Sequence, residues 1–122
     1  MKLYESGQDY LETILVLSKK LNNVRSIDVA NEMGVTKQST HRAIKNLKEN
    51  NYISIDSNGY ITLTELGINI ANQIYEKHII ISKFLISIGV PEAVALEDAC
   101  KLEHDLSKES FEAIKKIITE KH

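Results

Sequence analysis

The sequence predicts a mainly α-helical chain with one short β-hairpin about halfway along it. Three observations carry this. Apolar residues recur at three- and four-residue spacing through most of the 122 positions. Two short alternating runs flank Asp56-Ser57-Asn58-Gly59, the composition of a tight hairpin. One Pro and five Gly leave few points at which a helix must break.

The first helix is expected from about Tyr4 to Leu21, where Tyr10, Ile14, Leu17 and Leu21 form a stripe with Leu11 and Leu15 beside it, and Asn22-Asn23 ends it. Ser26 is the expected N-cap of a short second helix that stops at Gly34, where a left-handed residue is tolerated, with Val35 burying the turn. Thr36 caps a third helix. In it Thr40, Ala43, Ile44 and Leu47 face inward, and Lys37, Gln38, Ser39, His41, Arg42, Lys45 and Lys48 face outward or flank that stripe. The strands are expected at Tyr52–Ile55 and Tyr60–Leu63. From Thr64, a cap without the full capping box, the pattern Leu66, Ile70, Ile74, His78, Ile81, Leu85 runs on to Ile88. A helix of about 24 residues spans roughly 36 Å, longer than a small domain needs, so it links two modules or lies in a dimer interface. Gly89-Val90-Pro91 breaks it. Pro91, near the first helical position, starts another helix to about Asp105, with Ala95, Ala99, Leu102 and Leu106 as its apolar stripe. Ser107 opens the last helix, striped by Phe111, Ile114, Ile117 and Ile118.

A composition of 43% apolar and 26% charged residues supplies a core and argues against disorder. Cys100 is the only cysteine, so no intrachain disulfide forms and a reducing cytoplasm is the expected compartment. The apolar runs Ile14–Leu17 and Ile79–Ile81 are short, so neither a membrane span nor a secretory signal is expected. The net charge of −2 conceals a polarity. Residues 1–23 hold three basic and three acidic side chains, residues 24–62 hold five against four, and residues 63–122 hold seven against ten.

The second and third helices, joined by Met33-Gly34-Val35-Thr36 and followed by the hairpin, have the lengths and order of a winged helix-turn-helix. In that geometry the third helix enters the major groove of double-stranded DNA, and Thr36, Lys37, Gln38, Ser39, His41 and Arg42 meet base edges or phosphates. Arg25 and Lys45 are the expected phosphate contacts, with Ser26 beside Arg25. Ser57 and Asn58 at the wing tip either lie against the DNA or are polar only because loop tips are. A winged helix also serves in metal-independent regulators and protein-interaction modules, and this alternative stays open on the segment alone.

The second signal is Cys100-Lys101-Leu102-Glu103-His104. Thiol, carboxylate and imidazole at i, i+3 and i+4 share one helical arc, as metal ligands do. The same pattern also fits a core cysteine and histidine beside a solvated glutamate. Asp9 and Glu12 repeat the i, i+3 spacing on the first helix, and His78 lies on the inner stripe of the long one. Each has an ordinary alternative, carboxylates favoured by the helix dipole and a hydrogen-bonded core histidine. No phosphate-binding glycine loop and no nucleophile with its base are present, which weighs against an enzyme with an organic small-molecule substrate.

Together these segments resemble the metal-dependent repressors typified by the diphtheria toxin repressor and the manganese transport regulator. The resemblance runs from Asp9-Tyr10-Leu11-Glu12, through the helix-turn-helix and wing, Leu63-Thr64-Glu65-Leu66-Gly67, Lys77-His78 and Phe84-Leu85, to the stretch Glu97–Ser107, its most specific part. It implies a homodimer with a DNA-binding domain over 1–70 and a helical metal-binding and dimerisation domain over 71–122. It also implies a repressor of metal-uptake genes whose corepressor is Fe²⁺ or Mn²⁺, with Zn²⁺, Co²⁺ or Ni²⁺ able to substitute in vitro. By position, Asp9, Glu12, His78, Glu103 and His104 match ligands of manganese-type members. Cys100 matches the thiolate ligand of iron-type members, which carry methionine where Asp9 stands, so the site is a hybrid. Ser82 and Leu96 replace an acidic residue and a histidine of the iron-type ancillary site, so that second site is expected to be absent or altered. The SH3-like third domain of longer members is expected to be missing, and one metal or a rearranged pair per subunit are both open.

Ligands on the first helix belong to the DNA-reading half and the others to the dimer half, so one cation would tie the halves together and set the separation of two recognition helices. It would also neutralise Asp9, Glu12, Glu103 and a Cys100 thiolate, which otherwise oppose DNA approach.

Overall fold

The computed structural model describes residues 5–120. Tyr4, where the sequence reading starts the first helix, lies outside them. The described residues form six helices and one two-stranded antiparallel sheet, in the order α1 (Glu5–Lys20), α2 (Ser26–Met33), α3 (Lys37–Glu49), β1 (Ile53–Ile55), β2 (Ile61–Leu63), α4 (Glu65–Ser87), α5 (Glu92–Asp105), α6 (Lys108–Glu120). The chain divides into two compact units, one through Asn72 and one from Gln73.

In the first unit, Tyr10, Leu11, Ile14, Leu15 and Leu17 of α1 are buried with Val29 and Ala30 of α2, Ile44 and Leu47 of α3, and Ile61 and Leu63 of β2. The turn after α2 is set by Gly34, whose φ of 66° is the left-handed conformation that glycine adopts without strain. Thr36 caps α3, its Oγ1 accepting from the Ser39 N–H at 3.1 Å. The register of the hairpin pairs Ile53 with Leu63, Ser54 with Thr62 and Ile55 with Ile61.

Several boundaries differ from the sequence reading, each for a local reason. Ser26 is the first residue of α2 and Arg25 is the cap, because the Arg25 N–H finds Asp28 Oδ2 at 2.9 Å. Val35 is 37% exposed, so it does not bury the turn; the Val35 N–H closes the turn on the Ala30 carbonyl at 3.2 Å. Each strand is one residue shorter than expected at its N-terminal end. Tyr52 donates its N–H to the Leu47 carbonyl at the end of α3, and Tyr60 donates its own to Asp56 Oδ1.

Thr64 Oγ1 accepts from the Gly67 N–H at 3.1 Å and starts α4. A side chain on Gly67 would overlap the Tyr52 carbonyl oxygen, so glycine is required by close approach. That approach turns the buried line of the first α4 turns to Gly67, Ala71 and Ile74 and leaves Leu66 48% exposed, against the expected stripe. α4 ends at Ser87, one residue before Ile88.

In the second unit, Ile81 of α4, Ala99 of α5 and Phe111 of α6 form the core, with Ile80, Leu85 and Leu106 packed against it. Pro91 is the cap of α5, one position before its expected place. Ser107 Oγ accepts from the Ser110 N–H and starts α6. On α5 the structure reverses one assignment: Leu102 is 38% exposed, whereas Glu103 is only 2% exposed. Among the described residues no helix is long and apolar enough to cross a membrane.

Candidate metal centre and nucleic-acid interface

The second unit holds the candidate metal centre. Ala95 and Ala99, both fully buried, put a thin face of α5 into the core. Cys100 and Glu103 lie next along that helix, and α4 supplies His78. His78 Nδ1 is 3.1 Å from Glu103 Oε2 and 3.7 Å from Cys100 Sγ, and one donor atom from each residue lies within 4.8 Å of the others. Donors 2.0–2.3 Å from a shared cation and about 100–110° apart lie roughly 3.1–3.8 Å from one another, so the two close distances are compatible with N–O and N–S ligand edges.

The burial of Glu103 is the unusual feature. Its Oε2 faces His78, while its Oε1 is buried without a hydrogen bond among the described residues, 3.5 Å from His104 Nε2. A buried carboxylate oxygen without a donor is costly, by about 1–3 kcal/mol or more for a charged group, and buried charges are normally paired or on a metal. Thiol, imidazole and carboxylate in one cluster are the donor types of transition-metal sites. The chemistry of the residues therefore fits a divalent transition metal.

Asp9 and Glu12 lie one turn apart on α1, in the first unit, both half-buried. His104 follows Glu103 on α5 with its ring almost fully buried. Ser82 is buried and donates its hydroxyl to the His78 carbonyl of its own helix at 2.7 Å, and Leu96 is 40% exposed. The inward turn of Glu103 was not legible in the sequence, where the apolar Leu102 beside it competes for the same face.

The candidate nucleic-acid interface lies wholly in the first unit. Lys37, Gln38, His41 and Arg42 share a shallow recess on the exposed side of α3, opposite the buried Thr40, Ile44 and Leu47. Ser26 and Ile27 at the start of α2 form a second recess with Lys37 and His41. The first turn of α3 carries no acidic residue, so its helix dipole presents unopposed positive charge there. Thr36 and Ser39 engage each other in the cap, which leaves their hydroxyls partly committed. Lys45 is exposed one turn beyond Arg42. Ser57 and Asn58 are exposed in the wing turn, which Asp56 Oδ1 organises by accepting from the Asn58 and Tyr60 N–H groups. Arg25 stands beside the turn end of the wing, its guanidinium 4.8 Å from the centre of the Tyr60 ring. Sequence reasoning missed Tyr60, and no local signal could have found a partner 35 positions away.

Residues 2–61 match the family described as "Iron dependent repressor, N-terminal DNA binding domain", and residues 64–120 match "Iron dependent repressor, metal binding and dimerisation domain". An HTH-type transcriptional regulator of Methanocaldococcus jannaschii is 37% identical over 113 residues, covering 91% of this chain and 90% of that protein. The transcriptional regulator MntR of Escherichia coli O6:H1 is 31% identical over 114 residues, covering 93% of this chain and 73% of that protein. Among solved structures, the manganese regulator SloR superposes with a TM-score of 0.82 at 26% identity, over 98% of this chain and 55% of that one. The IdeR protein of T. acidophilum superposes with a TM-score of 0.76 at 28% identity, over 92% of this chain and 53% of that one. The chain thus spans about half the length of these solved chains.

Proposed function

We propose that this chain, which belongs to the iron-dependent repressor family of metal-dependent transcriptional repressors typified by the diphtheria toxin repressor and the manganese transport regulator, silences metal-homeostasis genes in the cytoplasm when Fe²⁺ or Mn²⁺ is plentiful. The family is one of regulators, not of enzymes. The part over 1–70 binds double-stranded operator DNA, and the part over 71–122 holds the metal and forms the homodimer.

The observation that carries the reading is the buried Glu103 carboxylate, with one oxygen on His78, the other without a hydrogen bond, and the Cys100 thiol beside them. His78, Cys100, Glu103 and His104 are the donors from the second unit, and Asp9 and Glu12 complete the set. When bound, a divalent cation supplies positive charge and directed ligand bonds. Cys100 contributes a soft thiolate that favours Fe²⁺, Zn²⁺ or Co²⁺ over Mn²⁺, whereas the carboxylates suit Mn²⁺. The iron in the name of the matched family and the manganese in the name of SloR support the same two candidates.

On the DNA side, Lys37, Gln38, His41 and Arg42 present the reading face, with Thr36 and Ser39 at the helix N-terminus. Arg25, Ser26 and Lys45 take phosphates, and Ser57 and Asn58 reach the backbone from the wing. The exposed Ile86, Ile88, Val94 and Ile117 of the second unit supply apolar surface for the homodimer.

The test is anaerobic fluorescence anisotropy on DNA from upstream of the host's metal-transport genes, at fixed salt, with chelator, Mn²⁺, Fe²⁺ or Zn²⁺. Binding that requires metal supports the reading and ranks the metals. Equal binding in chelator reduces the donor cluster to a structural role.

A further inference from the structure

Arg25 is held on every side that the fold offers. Its N–H is engaged by Asp28 Oδ2 at 2.9 Å, and the preceding residue is tied to the wing, with the Ile61 N–H donating to the Val24 carbonyl at 2.7 Å. Its guanidinium stacks 4.8 Å from the centre of the Tyr60 ring, and Nη2 lies 3.3 Å from the Tyr60 hydroxyl. Yet the side chain is exposed, and among the described residues no carboxylate pairs with it.

An arginine oriented by an aromatic ring, with its charge left uncompensated, is prepared for an external anion. It stands where the wing meets the start of α2 and not on α3, so the phosphate backbone is its natural target. We infer that Tyr60 is a positioning residue for DNA binding, its ring presetting Arg25 for a backbone phosphate. The inference rests on the reading of Arg25 as a DNA contact. Because Val24 and Ile61 share a backbone bridge, Tyr60 also ties the wing to the helix-turn-helix through one side-chain stack.

The experiment measures anisotropy of a fluorescein-labelled mixed-sequence duplex across a salt series, for the full chain and its variants, each compared with wild type under the same metal condition. Arg25→Ala is expected to weaken binding about tenfold and to reduce the salt slope by about one. Tyr60→Leu is expected to weaken binding about fivefold in the wild-type background and not at all on top of Arg25→Ala, because contacting residues are non-additive. Tyr60→Phe, which keeps the ring, should stay within about twofold of wild type. Arg25→Lys, which leaves the wing untouched, keeps the salt slope but loses most of the affinity that Arg25→Ala loses.

Equal weakening by Tyr60→Leu in both backgrounds, or none in either, overturns the positioning role. So does an Arg25→Lys protein that binds like wild type, whatever the stability of Tyr60→Leu. If Arg25→Ala changes neither affinity nor slope, the DNA-contact reading of Arg25 fails, and the inference fails with it.

Discussion

Glu103→Gln separates the two roles that the buried carboxylate can play. The wild-type side chain is 2% exposed, with Oε2 3.1 Å from His78 Nδ1 and Oε1 without a hydrogen bond. An amide of the same shape keeps an oxygen for His78 and removes a buried charge. Losing a charge-assisted hydrogen bond and relieving an unsatisfied oxygen are each worth about 1–3 kcal/mol and oppose one another, so the metal-free variant should lie within about 1 kcal/mol of wild type. The response to metal should differ sharply. Binding to the folded state alone adds about 2.7 kcal/mol when free metal is about a hundredfold above Kd. With about 4 °C per kcal/mol for a chain of this size, the wild-type Tm should rise by about 10 °C. The variant, lacking the anionic ligand, should rise by about 2 °C or less under the same conditions. The assay is anaerobic thermal unfolding by circular dichroism, in EDTA and in Fe²⁺ or Mn²⁺. A variant that retains the full metal-induced rise refutes the reasoning. A variant that loses several kcal/mol in EDTA identifies Glu103 as a structural partner of His78 instead.

Two other substitutions test the scaffold and the donor set. Gly67→Ala drives a methyl into the Tyr52 carbonyl, which also accepts from the Thr64 N–H, and should destabilise the fold by at least about 2 kcal/mol; an unmoved urea midpoint would contradict the close approach. Cys100→Glu replaces the soft ligand by a hard one and should move the ratio of Mn²⁺ to Zn²⁺ affinity toward manganese by about tenfold or more, read by competition with a fluorescent chelator. An unchanged ratio removes Cys100 from the ligand set.

Much of the fold was legible because its signals are local. The Thr36 cap, the left-handed Gly34 and the Asp56-to-Tyr60 turn each act within a few residues, and the long period-3.6 pattern of α4 identifies that helix unaided. What was not legible depends on tertiary contacts. Leu102 and Glu103 compete for one face of α5, and hydropathy alone would bury the leucine. The structure buries the glutamate because His78 on α4 offers it a partner. Periodicity likewise points Leu66 inward, whereas the close approach of Gly67 to Tyr52 fixes the rotation of α4 and leaves Leu66 exposed. The ligand candidates His78, Cys100, Glu103 and His104 could be named from spacing. That one oxygen of Glu103 is left without a hydrogen bond, 3.5 Å from His104 Nε2, is a property of the folded packing alone.

Whether His78, Cys100 and Glu103 form a metal-binding centre is read most directly by anaerobic titration with Co²⁺ followed by absorption spectroscopy. A thiolate ligand gives an intense near-ultraviolet sulfur-to-cobalt charge-transfer band. This band should grow to saturation in the wild-type protein, disappear in Cys100→Ser, and be weakened or shifted in Glu103→Gln. Saturable cobalt binding with no charge-transfer band, or a band that survives Cys100→Ser, would contradict such a centre.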